Sequence, residues 1–228
     1  MILDPTSQFI HQITSHCDLD GATILEIGCG RGRITADLAR HARRVVATDP
    51  DAAALAAARQ TIPAPNVEFI CTSGQHLDFP TASFDLVLYS LSLHHIPAET
   101  MIESLRRAGA LLKSGGSLLV IEPGDNGSLI EAEQRFGVGC GDERQAKAAA
   151  LQAIHGLSGW RAARPVCFQT LFHFDDELDF LTNLQPDYLC KTGKWRQEVN
   201  RFLAGYQEAQ QITLNAERRM FLLTDIPV

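Results

Sequence analysis

The segment Ile24–Thr35, ILEIGCGRGRIT, constrains this chain more than any other. An apolar run of strand character enters three glycines at alternate positions, Gly28, Gly30 and Gly32. Helical spacing follows, with Ile34 and Leu38 four residues apart. Glycine there permits positive φ and lets the backbone approach a ligand that a Cβ would hold away. A strand, a tight turn and a helix in this order form the first half of a βαβ unit. Ligands of such sheets sit at the carboxyl ends of the strands. The first amides of the helix offer unpaired donors at the same place.

The alternation continues along the first half. Thr6–His16 reads as a short helix and Thr23–Ile27 as the first strand. Helix is expected over Gly32–His41, strand over Arg44–Thr48, and helix over the Ala-rich Asp51–Gln60, stopped by Pro63 and Pro65. Val67–Cys71 and Asp85–Tyr89 are the third and fourth strands. Pro97 opens a helix carrying Met101, Leu105, Ala108 and Leu112 on one face, which Gly115 and Gly116 are expected to end. Ser117–Ile121 is the fifth strand. The sum is an α/β chain with a doubly wound parallel sheet.

After Pro123 the pattern changes. Ser128 and Glu131 form an S-x-x-E capping box, so a helix starts there, and Glu143–Leu157 is helical again. Pro165–Phe174 alternates as a half-buried strand, helix resumes near Asp175–Leu184, and Trp195, Val199, Phe202, Leu203 and Tyr206 make another helical stripe. Met220–Thr224 is the last strand. This half is longer than its strands need. A C-terminal helical cap from about 128–157 and 186–210 is therefore expected. Phe136, Trp160, Phe172, Tyr188, Trp195 and Tyr206 are divided between core packing and an apolar substrate pocket. The whole is read as a single domain over 1–228, with a cofactor-binding core at 20–125 and the last strands plus cap at 126–228.

Composition sorts the partners. The formal net charge is −7, and the basic residues are scattered, with no stripe to neutralise phosphates, so no nucleic-acid partner is expected. None of the six cysteines forms a CxxC pair, which argues against a zinc site. No apolar run reaches the roughly 18 residues of a membrane span. The amino-terminal MILDPTSQF lacks a signal peptide's features. A reducing cytoplasm with free thiols is the expected setting. A monomer and a homodimer both remain open.

The chemistry of the glycine turn separates two nucleotide cofactors. The glycines are spaced GxGxG, not GxGxxG as in nicotinamide-binding domains. Glu26 stands two residues before the first glycine, where its carboxylate would repel a pyrophosphate but suit a ligand bearing an ammonium and a sulfonium. Asp49 closes the second strand, 17 residues after Gly32. There it can accept from both hydroxyls of a ribose, with charge-assisted bonds worth roughly 1.5–3 kcal/mol each.

LEIGCGRGRIT, followed by VVATDPD, FDLVLYSLSLHHI and LLKSGGSLLVIEP, resembles the class I S-adenosylmethionine-dependent methyltransferases. The nearest likeness is to the small-molecule group that includes the quinone-biosynthesis methylases. It covers roughly residues 20–125. It implies a Rossmann-like, mostly parallel seven-stranded sheet and S-adenosyl-L-methionine as cofactor, with S-adenosyl-L-homocysteine as product. By the same resemblance Glu26 meets the methionine part of the cofactor. Gly28, Cys29, Gly30 and Gly32 line it, Cys29 as a small buried filler and not a nucleophile. Asp49, followed by Pro50, holds the ribose. Family members often place an Asp against the adenine amino group after the third strand. This chain has Ser73, Gly74 and Gln75 there, so Ser73 and Gln75 substitute or backbone holds the base. Tyr89, Ser90 and Leu91 line the pocket near the sulfonium.

Methyl transfer from a sulfonium is an in-line displacement, so positioning is the protein's main contribution. A base is needed only for a protonated nucleophile of high pKa. His94 and His95, just past the fourth strand, are the candidates, His94 first; helix capping or local packing is their structural alternative. Glu122 is a weaker candidate, and His173 is structural. The expected function is methylation of a small-molecule acceptor. The alternative is a non-catalytic S-adenosylmethionine-binding sensor or carrier. The glycine spacing and Glu26 disfavour a nicotinamide oxidoreductase. The acidic charge and the absence of an NPPY motif disfavour a nucleic-acid methylase.

Overall fold

The structure, a computed structural model, describes residues 1–225. In chain order its first elements are β1 (Ile2–Leu3), α1 (Gln8–His16), β2 (Thr23–Ile27), α2 (Arg33–Leu38), β3 (Arg44–Asp49) and α3 (Ala52–Thr61). Next come β4 (Val67–Cys71), β5 (Phe84–Ser90), α4 (Ala98–Ala110), β6 (Leu112–Pro123), α5 (Ser128–Phe136) and α6 (Arg144–His155). The last are β7 (Trp160–Ala162), β8 (Val166–Phe174), α7 (Glu177–Leu184), α8 (Gly193–Ala204), β9 (Gln207–Glu208) and β10 (Gln211–Asp225). The chain forms two compact units. The larger comprises Phe9–Glu122, Ala146–Val166 and the described chain from Arg219. The smaller comprises Met1–Gln8, Pro123–Gln145 and Cys167–Arg218.

In the larger unit β2 to β6 are all parallel, in the order β6-β5-β2-β3-β4. The chain starts in the middle at β2, runs outward through β3 and β4, then returns to β5 on the other side. The direction of winding reverses between β2 and β5, which places the switch-point crevice at their carboxyl ends. Ile24, Leu25 and Ile27 of β2 are at most 2% exposed, as a central strand covered on both faces requires. Helix α4 presents Met101, Leu105 and Ala108 to the core, and α6 adds Ala150, Ala153 and Ile154 to the same cluster. Truncating a residue such as Leu105 to Ala costs about 2–5 kcal/mol by cavity formation.

The smaller unit has the strand order β1-β8-β10, with β1 antiparallel to β8 through Ile2 opposite His173. Phe168, Thr170, Phe172 and Phe174 alternate inward along β8 as their spacing suggests. They share the unit with α5, α7 and α8, where Phe174 meets Phe180 edge-on and Phe136 meets Phe202 edge-on. Phe136 and Phe172 are buried there, and Tyr188, Trp195 and Tyr206 pack against them. Trp160 packs into the core of the larger unit. All six aromatics therefore serve core packing.

Several expectations are corrected. Ten strands occur among the described residues, against seven expected, because the antiparallel β1, β7 and β9 are too short to leave a sequence pattern. Gly115 and Gly116 do not end a helix. Helix α4 stops at Ala110, and both glycines lie within β6, where the register slips between Phe84–Leu112 and Leu86–Ser117. Gly115 takes φ +79°, which the irregularity requires. Ser128 is the first helical residue of α5, not its cap. Its hydroxyl bonds Asn215, at 3.0 Å from Asn215 Oδ1, so no capping box forms. Of the stretches expected to build a cap, 186–210 supplies α8 to the smaller unit, whereas the end of α6 packs in the larger core. The last three residues of the 126–228 range lie outside the described residues.

Candidate active site

The carboxyl ends of β2, β3 and β5 surround a cavity of about 550 Å³ within the larger unit. A larger depression of about 680 Å³ lies at the opposite, amino ends, against Thr23, Arg44 and Val67, away from the glycine turn. The crevice position of the first makes it the candidate site.

The turn after β2 is shaped by hydrogen bonds that need glycine. Gly28 and Cys29 donate their amides to Thr48 O at 2.8 and 2.9 Å. The Gly30 amide donates to Asp49 Oδ2 at 2.7 Å, and Asp51 N donates to Asp49 Oδ1 at 2.8 Å. Asp49, at the end of β3, thus holds the turn and faces the cavity together. Gly28, at φ +76°, lies against Ser92: a Cβ there would stand 2.2 Å from the Ser92 Cβ. A Cβ on Gly30, at φ +55°, would meet nothing within 4 Å. It would project into the open space beside the turn, which is room for a ligand.

Glu26 is fully buried in mid β2. Thr35 Oγ1 and Ser90 Oγ each donate to its carboxylate at 2.6 Å. Burial pushes its pKa up, and the two hydroxyls and Arg33 offset that only in part. Ser92 Oγ donates to Ile27 O at 2.5 Å, which ties the loop after β5 to the end of β2. Leu91 has φ +60°, and its amide donates to Ile121 O at 2.8 Å. The loop after β4 is pinned too. Ser104 Oγ donates to Gly74 O at 2.6 Å, Gln75 Nε2 donates to Thr100 Oγ1 at 2.9 Å, and Ser73 Oγ bonds His76 Nδ1 at 3.0 Å.

Of the residues expected at the site, Gly28, Gly30, Asp49, Pro50, Ser73, Gly74, Gln75, Leu91 and His95 line the cavity. Others stand behind the wall. Glu26 and Ser90 are joined to each other. Cys29 is buried, and burial raises its thiol pKa. Gly32 packs on Ile62 of the α3 end, where a Cβ would lie 2.4 Å from Cδ1. Tyr89 is fully buried, its hydroxyl bonded to Ser104 at 2.7 Å. His94 is 5% exposed and bonds Glu122. Ile27, Ser92, Ile96 and Pro97 line the cavity without having been singled out. Ile96 and Pro97 directly follow the histidines, so their position was available as a signal. Ser92 had none, because its role comes from a contact 64 residues away. Asp49 is the carboxylate of the wall, and no Lys or Arg is among the described residues that line it. Such a wall favours a cationic ligand and repels a pyrophosphate.

The glycine turn stands at the switch point of a Rossmann-like fold shared with a solved SAM-dependent methyltransferase. Residues 24–116 match the family model described as a methyltransferase domain. The chain is 35% identical over 98 residues to an uncharacterized methyltransferase of Mycobacterium tuberculosis, covering 43% of this chain and 49% of that protein. It is 30% identical over 115 residues to a ubiquinone biosynthesis O-methyltransferase of Bradyrhizobium diazoefficiens, covering 50% and 44%. The match thus spans less than half the length of these relatives. The crystal structure of a SAM-dependent methyltransferase from Aquifex aeolicus aligns with a TM-score of 0.57 over 95% of this chain and 94% of that one. At 14% identity that likeness concerns the fold alone. No helix among the described residues is long and apolar enough to cross a membrane.

Proposed function

We propose that this protein transfers the methyl group of S-adenosylmethionine to a small-molecule acceptor. The observation that carries the proposal is the Asp49 carboxylate, which grips the Gly30 amide at 2.7 Å while facing the cavity. The donor set fits the cofactor. Asp49 offers carboxylate oxygens to ribose hydroxyls, Gly30 leaves open space where a side chain would stand, and the wall lacks a cation. Ser73, Gly74 and Gln75 stand at the cavity for the base. Glu26 acts from behind the turn. Its carboxylate, in the ionised form, favours an ammonium and a sulfonium on the other side.

When bound, S-adenosylmethionine supplies an electrophilic methyl carried by a sulfonium. The chain's own part is alignment and exclusion of water, the larger share of catalysis in such a displacement. His95 is the imidazole on the cavity wall, placed to hold a proton taken from an acceptor hydroxyl or amine. The formal charge of −7 disfavours a nucleic-acid acceptor, and the quinone-pathway name of one relative supports a small phenolic one. The test is release of S-adenosylhomocysteine from S-adenosylmethionine across a panel of phenols, amines and thiols. Acceptor-dependent release supports the proposal. Tight cofactor binding with no release over the whole panel favours a sensor or carrier instead.

A further inference from the structure

Two imidazoles stand side by side in the turn after β5, and they differ in surroundings. His95 is exposed and lines the cavity. His94 is buried, with its Nδ1 2.7 Å from Oε2 of Glu122. Their ring centroids are 4.1 Å apart. Glu122, near the end of β6, is 1% exposed. A carboxylate only accepts, so the His94 nitrogen facing it is protonated. The second oxygen, Oε1, is buried without a hydrogen-bond partner.

Such a pair does little for stability. Taking such a polar pair out of water is costly, and apolar replacements of similar volume are often neutral or stabilising. The arrangement does, however, grip the cavity wall. The end of β6 holds the loop at its start, through Ile121 O and the Leu91 amide at 2.8 Å. It holds the loop again at the short 3-10 turn Leu93–His95, through Glu122 and His94. That turn is itself closed by backbone hydrogen bonds from His95 N to Ser92 O at 3.2 Å and from Ile96 N to Leu93 O at 3.0 Å.

We propose that Glu122 is a positioning residue: through its hydrogen bond to His94, whose ring lies tilted at 45° against its neighbour with centroids 4.1 Å apart, it sets the His95 imidazole on the cavity wall. The role of His95 in taking a proton rests on the proposed methyl transfer; its placement by Glu122 does not.

The test uses the full chain with isotope-labelled histidine. The Cε1–Hε1 resonance of His95, assigned by its loss in His95→Gln, is compared in wild type, Glu122→Leu and Glu122→Gln. Leu fills the volume without accepting a hydrogen bond, whereas Gln still can. The expected result is a shifted, broadened His95 signal in Glu122→Leu and a wild-type-like signal in Glu122→Gln. S-adenosylhomocysteine affinity should stay within about threefold of wild type, about 0.7 kcal/mol, in both. An unchanged His95 signal in folded Glu122→Leu overturns the proposal. If that variant does not fold, His94→Phe keeps an aromatic ring beside His95, removes the bond and decides the matter by the same signal. Should wild type fail to bind S-adenosylhomocysteine, the methyl-transfer reading falls, while the His95 comparison still stands or fails independently.

Discussion

Gly28 and Ser92 are packed so closely that a Cβ on Gly28 would stand 2.2 Å from the Cβ of Ser92 and 2.8 Å from its hydroxyl. The contact joins the turn after β2 to the loop after β5, the two sides of the switch-point crevice. Gly28→Ala is therefore expected to destabilise the fold, by about 1–2 kcal/mol for the left-handed backbone and more for the contact. Gly30→Ala carries the backbone cost but meets nothing within 4 Å. It should unfold at a denaturant midpoint closer to wild type, yet bind S-adenosylhomocysteine more weakly, because its methyl projects into the cavity. Urea unfolding and calorimetric titration of both variants check the contrast. Equal binding by Gly30→Ala and wild type would contradict it.

Glu26 is a buried carboxylate whose pKa is raised, chiefly by loss of hydration. The folded protein holds this proton more tightly than the unfolded chain. Its contribution to stability is present at low pH and is lost as pH rises through the raised folded value. Glu26→Gln removes the titration, and Thr35 and Ser90 hydroxyls can donate or accept to suit the amide. The variant should lose less stability than wild type between acidic and neutral pH, while binding S-adenosylhomocysteine more weakly. Thermal unfolding at several pH values checks the first part and calorimetry the second. A steeper loss in the variant would contradict the assignment.

Asp85 on the neighbouring strand β5 works with the opposite sign and serves as a control. Burial is the largest single influence on its pKa and raises it, but Lys113 Nζ at 2.7 Å, the Thr23 amide at 2.8 Å and the charge of Arg43 together outweigh it and lower the pKa. Its stabilising effect is present above the ordinary carboxylate range and is lost as pH falls through the depressed value. Asp85→Asn should cost about 1 kcal/mol or less at neutral pH, since the pair is partly exposed, and the difference should vanish in acid. S-adenosylhomocysteine affinity should not change, because Asp85 begins the strand whose far end reaches the cavity.

Much of this arrangement was legible in the sequence, for physical reasons. The β2–α2 turn declares itself because only glycine tolerates three positive φ values within five residues. Asp49 is legible because a strand-ending acid has a fixed distance from that turn. The parallel strands show as apolar runs because both their faces are covered. What stayed hidden depends on contacts between distant residues. Nothing local marks Ser92 as the partner of Gly28, or His94 as buried on Glu122 while His95 faces the cavity. The glycine pair 115–116 looks like a helix terminator, yet the pairing of β6 with β5 absorbs it. Ser128 reads as a cap until Asn215, 87 residues on, takes its hydroxyl.

Titration of S-adenosylhomocysteine into the wild type and into Asp49→Ala tests the central claim most directly. Asp49 grips the turn and offers its carboxylate to the cavity, so its loss removes ligand contact and turn geometry together. Micromolar-range binding by the wild type that collapses in the variant is the expected result. No binding by the wild type, or equal binding by both, would contradict the assignment of this cavity to S-adenosylmethionine.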